Sequence, residues 1–257
     1  MRAPVLVFGS NGQVAQALKA LLPEAVFLSR TECDLERPGQ AAAALEKHKP
    51  RVVINAAAYT EVDKAESENE RSRAHQINAA AVQEIAFWCA RNDVSLIHYS
   101  TDYVYPGDGD LPWSELAPVA PRNHYGQTKL DGEAAIRSAG CHHVILRTSW
   151  VFSPVGKNFV KTMLKLGLER EHLSVVDDQV GSPTYAPDIA RATLRVLGHP
   201  HFAKGEASTI CAIRAGSRGM PSPPRFSPRP PPKVGRSKSR AWMRSGPPNI
   251  RPRPSDR

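Results

Sequence analysis

A doubly wound, mostly parallel α/β sheet is the fold that residues 1–200 predict, and three observations carry that expectation. Short apolar runs without polar alternation, VLVF (5–8), RVVINAAA (51–58) and VSLIHYS (94–100), read as parallel strands buried on both faces. Segments of helical spacing fall between them, which makes the connections crossovers. The first run ends in GSNGQVA, where Gly9, Gly12 and Ala15 form G-x-x-G-x-x-A between a strand and a helix. That context is the one a dinucleotide-binding turn requires.

In chain order, VLVF is the first strand, and QVAQALKALL (13–22) follows with helical spacing. AVFL (25–28) is a second strand, 38–47 a helix and 51–58 a third strand. Residues 69–92 carry one long helical pattern, and 94–100 is the fourth strand. A helix over 124–139, a strand over HVILRTS (143–149), a helix over 158–167, a strand over LSVV (173–176) and a helix over 187–197 complete the alternation. Strand–helix alternation of this kind gives the Rossmann architecture, with ligands at the carboxyl ends of the strands. No internal repeat is visible.

Composition narrows the class. No apolar run reaches the length of a membrane span, and the apolar stretch at the N-terminus is too short for a secretory signal. A cytoplasmic protein is expected, with Cys33, Cys89, Cys141 and Cys211 as free thiols lacking metal spacing. The net charge of +9 misleads. Residues 206–257 hold 12 of the 34 Lys and Arg, 2 of the 25 Asp and Glu, and 11 of the 23 prolines. The first 205 residues are close to neutral, with 22 basic and 23 acidic residues.

Candidate chemistry gathers at strand tips. Gly9 and Gly12 allow a phosphate to approach backbone N–H groups at a helix N-terminus. The second strand ends AVFLSR without the acidic residue that would bind both ribose hydroxyls of NAD. Arg30 there suits the 2′-phosphate of NADP, or is a solvated charge, and Asp34 is a candidate for the adenine side. The fourth strand ends in Ser100-Thr101-Asp102, where Thr101 offers a hydroxyl or a strand-end cap. YGQTK (125–129) places Lys129 one helical turn after Tyr125. An ammonium beside the phenol would lower its pKa and make Tyr125 a proton donor, whereas the plain reading is an amphipathic surface helix.

The stretches NAAAYTEVDKAE (55–66), STDYVY (100–105), YGQTKLDGE (125–133), RTSWVF (147–152), KNFVKTML (157–164) and DDQVGSPTYAPDIA (177–190) together resemble the extended short-chain dehydrogenase/reductases. Within them they are most similar to the dTDP-4-dehydrorhamnose reductase family. The resemblance implies hydride transfer from NADPH, with NADH as the alternative, to the C4 ketone of a dTDP-linked 6-deoxy-hexulose. Tyr125, Lys129 and Thr101 match the family's catalytic set. Gly9, Asn11, Gly12 and Gln13 match its pyrophosphate turn, Asp34 and Leu35 its adenine-side loop, and Ala57, Ala58 and Tyr59 the loop after the third strand. Asp102 and Tyr103, or their neighbour Val104, lie where the sugar would bind. Trp150 matches a substrate contact, with core packing as the alternative. Asp178, Gln179 and Pro183–Thr184 match a loop lining the cleft. Tyr105-Pro106-Gly107 departs from the family's F-D-G, and Asn123-His124 from its usual small or β-branched residues. A need for Mg2+ and a homodimer are left open, and neither nucleic acid nor membrane is expected as a partner. The rivals are an epimerase or dehydratase of the same superfamily and a non-catalytic relative such as the regulatory subunit of methionine adenosyltransferase.

The resemblance places a dinucleotide-binding domain over 1–150, part of a sugar-nucleotide region over 151–205, and a Pro/Arg-rich tail over 206–257. The tail has too little apolar surface to offset ordering entropy and is expected to be disordered. Its codons carry a second reading. Taken from the third base of each codon, those for Glu206–Ser227 allow a peptide that begins GVYHLCNSGWVSWYAFA and continues beyond it, and those for Asn249–Arg257 allow HPTPAVRP. Both match stretches that the family carries at these places, in one common frame. A change of reading frame near Lys204–Glu206 is therefore expected, in the gene or in its reading.

Overall fold

The computed structural model describes residues 3–108, 111–175, 179 and 181–203, together with the backbone of 208–212. Strands β1 (Val5–Phe8), β2 (Val26–Leu28), β3 (Val52–Asn55), β4 (Ser95–Thr101) and β5 (His143–Thr148) alternate with helices α1 (Gln13–Leu21), α2 (Gln40–His48), α3 (Glu68–His75), α4 (Ala81–Arg91) and α5 (His124–Ala139). Beyond them come β6 (Val151–Phe152), α6 (Phe159–Glu169), β7 (Thr184–Tyr185), α7 (Ala186–Leu197) and β8 (Ser208–Ala212). The main sheet has the order β2-β1-β3-β4-β5-β8, and every pairing in it is parallel. The strand order reverses between β1 and β3, so the crevice for a ligand opens at their carboxyl ends.

Strand side chains alternate between two apolar layers. Leu6, Phe8, Val53, Leu96 and Ile145 face α2, α4 and α5 through Leu45, Ile85, Trp88 and Ile136. Val5, Val7, Val52, Ile54, Ile97, Val144 and Leu146 face α1 and α7 through Leu18 and Ala190. Burial on both sides explains why these strands read as continuous apolar runs. The return of α7 to the sheet places the end of the 151–205 stretch within the main layer.

Three expectations are corrected. The long helix over 69–92 is divided by a π-helical turn, Gln76–Ala80, between α3 and α4. Residues 173–175, expected as a strand, form none and are half-buried to exposed, with no strand partner among the described residues. Ser208–Ala212 lie in the stretch expected to be disordered, yet they form β8 against β5. Composition averaged over 52 residues hid STICA, whose β-branched and apolar residues suit a strand. The rest of the tail lies outside the described residues, as does Asp178.

Helix α6 stands apart. None of its residues is buried. Phe159, Leu164 and Leu168 are 62%, 67% and 90% exposed. Val160, Leu164 and Leu168 recur every four residues, the spacing of a buried stripe.

The π turn has a packing consequence. A Cβ built on Gly132 of α5 would meet the carbonyl oxygen of Asn78 at 2.2 Å. Gly132→Ala is expected to lose roughly 1–3 kcal/mol of unfolding free energy in urea melts, because backbone has to move. Gly167→Ala, in α6 with nothing within 4 Å of its Cβ position, should gain about 0.5–1 kcal/mol.

Candidate active site

The turn after β1 needs its glycines for stated reasons. Gly9 sits at φ +89, and a Cβ there would lie 3.0 Å from the Ala56 carbonyl oxygen. Gly12 is the N-cap of α1 and lends no side chain to the first-turn N–H groups. The result is an open cleft of about 400 Å³ at the switch point. Nine predicted cofactor residues line it: Gly9, Asn11 and Gly12 from the first turn, Arg30, Asp34 and Leu35 from beyond β2, and Ala57, Ala58 and Tyr59 from beyond β3. Arg30 is half-exposed and paired with Asp34 (3.4 Å) and Glu36. Arg73 joins Glu36 and Glu70, so the rim near Arg30 holds both signs of charge.

Gln13 turns away from the cleft. Its amide donates to the Val151 carbonyl (3.2 Å) and accepts from Ser153 Oγ (3.0 Å) and Asn158 Nδ2 (2.9 Å), tying α1 to the 151–158 segment.

Thr101 ends β4, and Tyr125 begins α5. The Thr101 hydroxyl accepts from Tyr103 N (3.2 Å) and donates to Asp102 Oδ1 (3.2 Å), so it does cap the turn over 102–104. Asn123 caps α5, its Oδ1 accepting from Gly126 N at 2.7 Å. Gly126 lets α5 start flush on that turn, because a Cβ there would lie 2.3 Å from Tyr103 O. Tyr103 meets Tyr125 edge to face, with ring centroids 5.7 Å apart. Tyr59 and Tyr125 share one apolar cluster with Ala65 and Ala74, which connects the cleft wall to the phenol.

Burial pushes the Tyr125 phenol up to about 12, partly offset by a hydrogen bond with Thr101. The expected cause, a lowering by Lys129, is absent. The amine lies one turn along α5 but points to β4, where it donates to the Tyr99 carbonyl at 2.7 Å. A buried amine goes to the acceptor that a strand backbone offers. Burial in turn brings Lys129 down to about 8, with Glu133 pulling the other way.

One predicted sugar contact is placed differently. Val104 is fully buried, so its side chain is part of the core rather than of a cleft wall. A valine at the inner position of a tight turn packs beneath it. Trp150 is 43% exposed, which excludes the core-packing alternative, and it adopts φ 43. Its ring lies on Gly181, whose Cβ position is 2.5 Å from the indole.

Four polar contributors escaped the sequence reading. Asn78, from the π turn, accepts from Tyr59 N (2.9 Å) and donates to Tyr59 O and Thr128 Oγ1 (3.1 Å each), pinning the cleft loop to α5. Arg147 grips buried Glu133 through two hydrogen bonds of 2.8 and 2.6 Å. Asn55 and His98 are buried polar residues inside apolar strands. That position is itself a signal, because a polar group there requires a partner.

The sequence profile described as RmlD substrate binding domain matches residues 1–209. The chain belongs to that family. It is 46% identical over 202 residues to the dTDP-4-dehydrorhamnose reductase of Escherichia coli K12, covering 75% of this chain and 66% of that protein. The enzyme of the same name from Burkholderia thailandensis is 45% identical over 196 residues, covering 75% and 65%. The chain thus spans just under two thirds of the length of these family members. Among solved structures, a dTDP-4-dehydrorhamnose reductase of Bacillus anthracis in complex with NADP superposes with a TM-score of 0.76 at 33% identity, covering 84% of this chain and 76% of that one. An orthologue from Clostridium acetobutylicum gives 0.76 at 32% identity, covering 83% and 75%. A UDP-glucose 4-epimerase from Brucella ovis, 20% identical with a TM-score of 0.66 over 83% of this chain and 77% of that one, shares the fold.

Lys129 also makes stability depend on pH. Its folded pKa of about 8 lies below the unsupported value of 10.5, so the unfolded chain binds more protons between these limits. Unfolding free energy should rise by up to about 3 kcal/mol from pH 8 to 10.5 relative to Lys129→Met. Parallel urea melts of the two proteins check this.

Proposed function

We propose that this chain is built to reduce the C4 ketone of a dTDP-linked 6-deoxy-hexulose with NADPH, converting dTDP-4-dehydro-L-rhamnose into dTDP-L-rhamnose. The observation that carries it is the placement of Thr101 and Tyr125 at the carboxyl end of β4, connected through Tyr59 to a glycine-walled cleft that they do not themselves line. The cleft fits a dinucleotide. Backbone approaches closely at Gly9 where a Cβ would collide with Ala56, and the first turn of α1 is free of a side-chain cap. Gly9, Asn11 and Gly12 would hold the pyrophosphate, Asp34 and Leu35 the adenine side, and Arg30 the 2′-phosphate. Once bound, the cofactor supplies the hydride. The naming of the solved NADP complex and of the E. coli relative supports the same reading.

The chain's own residues supply the proton and the orientation. With its pKa raised to about 12, Tyr125 carries its proton throughout the neutral range and suits a donor to a developing alkoxide. Thr101 stands beside it as a second hydroxyl for the same oxygen. Tyr103 and Trp150 offer aromatic surface for the sugar nucleotide. No group of metal-binding side chains occurs among the described residues.

The remainder of the sugar-nucleotide region belongs to the same proposal. The uncovered stripe of α6 asks for apolar chain, and the Pro/Arg-rich tail has little to give. The shifted frame of the same codons allows an aromatic-rich peptide of the right character. Read this way, 1–150 binds the dinucleotide, and the sugar-nucleotide half starts at 151 and continues through the shifted frame.

DNA sequence across codons 200–210 and NADPH oxidation with the dTDP-4-keto sugar test this, comparing the 257-residue chain with its frame-restored counterpart. The restored protein should turn over and the 257-residue chain should bind NADPH with little turnover. Codons that forbid the shifted peptide, or a restored protein inert toward the sugar, would sink the reading. In the restored protein, Tyr125→Phe should cut kcat about 10²–10⁴-fold while the NADPH Kd stays nearly unchanged. Equal loss of both would make Tyr125 structural.

A further inference from the structure

Behind the candidate catalytic Lys129 lie two buried polar groups, Asn55 and His98, that the reductase proposal does not use. Asn55 at the end of β3, His98 in the middle of β4 and Lys129 on α5 are 1%, 0% and 2% exposed. Asn55 Nδ2 is 3.2 Å from His98 Nδ1, and His98 Nε2 is 3.3 Å from Lys129 Nζ.

The direction of these hydrogen bonds follows from one fixed donor. The Ala57 backbone N–H donates to Asn55 Oδ1 at 3.2 Å. A backbone N–H can only donate, so it orients the Asn55 amide and turns Nδ2 toward His98. An amide NH2 can also only donate, so Nδ1 of His98 has to present its lone pair. A neutral imidazole with a bare Nδ1 carries its proton on Nε2. That N–H faces Lys129 Nζ. An ammonium has no lone pair to receive it, whereas a free amine has one. Among the described residues the Tyr99 carbonyl is the one oxygen recorded within hydrogen-bond distance of Nζ, and an ammonium brings three protons to place.

We propose that His98, its tautomer set by Asn55, is a positioning residue for Lys129 that donates Nε2–H to the amine and favours its uncharged form. The proposal rests on the reductase reading only for its consequence: an amine that can gain or lose a proton near neutral pH one helical turn from Tyr125. The surrounding charges do not supply the effect. Glu133, one turn along α5, favours the ammonium, but Arg147 and Arg137 already pair with it. His143 on β5 and Lys129 itself both discourage a charge on His98, which keeps the imidazole neutral together with its burial. Tyr125, one turn back on α5, is itself held protonated. Burial and the donor chain thus act in the same direction on Lys129.

The test uses the 257-residue chain labelled with 15N-histidine and 13Cε-lysine. Long-range 1H–15N spectra taken above the Lys129 midpoint should show His98 as the Nε2–H tautomer, and Lys129 should titrate at or below about 8. In His98→Gln the side-chain amide is free to turn its oxygen toward the amine. The Lys129 midpoint should then rise by at least one pH unit, a tenfold gain in proton affinity, with the acid limb of kcat moving alike in the frame-restored enzyme. An Nδ1–H tautomer or an imidazolium in the wild-type chain overturns the proposal. So does an unchanged or lowered lysine midpoint in His98→Gln. The spectra need no turnover, so a protein inert toward the sugar but with the Nε2–H tautomer would overturn the reductase reading and leave this one standing. Turnover with the Nδ1–H tautomer would do the reverse.

Discussion

The structure depends on keeping charged side chains of one helix satisfied inside an apolar layer. Helix α5 carries Lys129 and Glu133 on the face that meets the sheet, and both are buried. In the sheet the amine meets the Tyr99 carbonyl and His98 Nε2, and the carboxylate meets the Arg147 guanidinium. A rotation or slide of α5 would strand one or both, at several kcal/mol for each unpaired buried charge. Such a pair contributes little net stability, because desolvation offsets the attraction. Its contribution is a single allowed position for the helix. Tyr125 begins that helix, so its phenol is placed by groups one and two turns away.

The same constraint reaches the cleft. Asn78 joins the loop at Tyr59 to Thr128 of α5, and the π turn brings its side chain into position. Arg147 continues outward, donating to the Tyr105 hydroxyl at 2.8 Å and lying over its ring. Cleft wall, Tyr125, Tyr105 and the Glu115 backbone are thus anchored to one set of buried polar contacts. Thr101 has two roles, as the cap of its own turn and as the hydroxyl that hydrogen-bonds the Tyr125 phenol. Low helix propensity is tolerated at Gly126 and Gly132 because backbone from elsewhere occupies the space a Cβ would need.

Much of this was legible in the sequence, and what was not has physical reasons. The apolar runs marked the five strands of the first 150 residues, since burial on both faces leaves no ambiguity of pattern. Gly9, Asn11 and Gly12 of the dinucleotide turn line one cleft with the residues named beyond β2 and β3, because the turn and the strand tips are local features. Gln13 and Val104 were misplaced because side-chain direction depends on neighbours distant in sequence: the 151–158 segment for one, the packing beneath a tight turn for the other. The orientation of Lys129 was missed for the same reason. Spacing along a helix says which residues share a face, but not which acceptor a buried amine will choose. The strand at 208–212 was hidden by averaging over a tail of unlike composition. The π turn left no periodic trace, since one extra residue shifts a helical pattern only slightly.

We propose that α5 sets Tyr125 and Lys129 toward the nicotinamide end of a dinucleotide that would be held at Gly9–Gly12. A crystal structure of the chain with bound NADP+ tests it most directly. The account predicts the diphosphate over the turn Gly9–Gly12 and the nicotinamide ribose within hydrogen-bond reach of Tyr125 and Lys129. A dinucleotide bound elsewhere, or one whose nicotinamide end points away from α5, would contradict it.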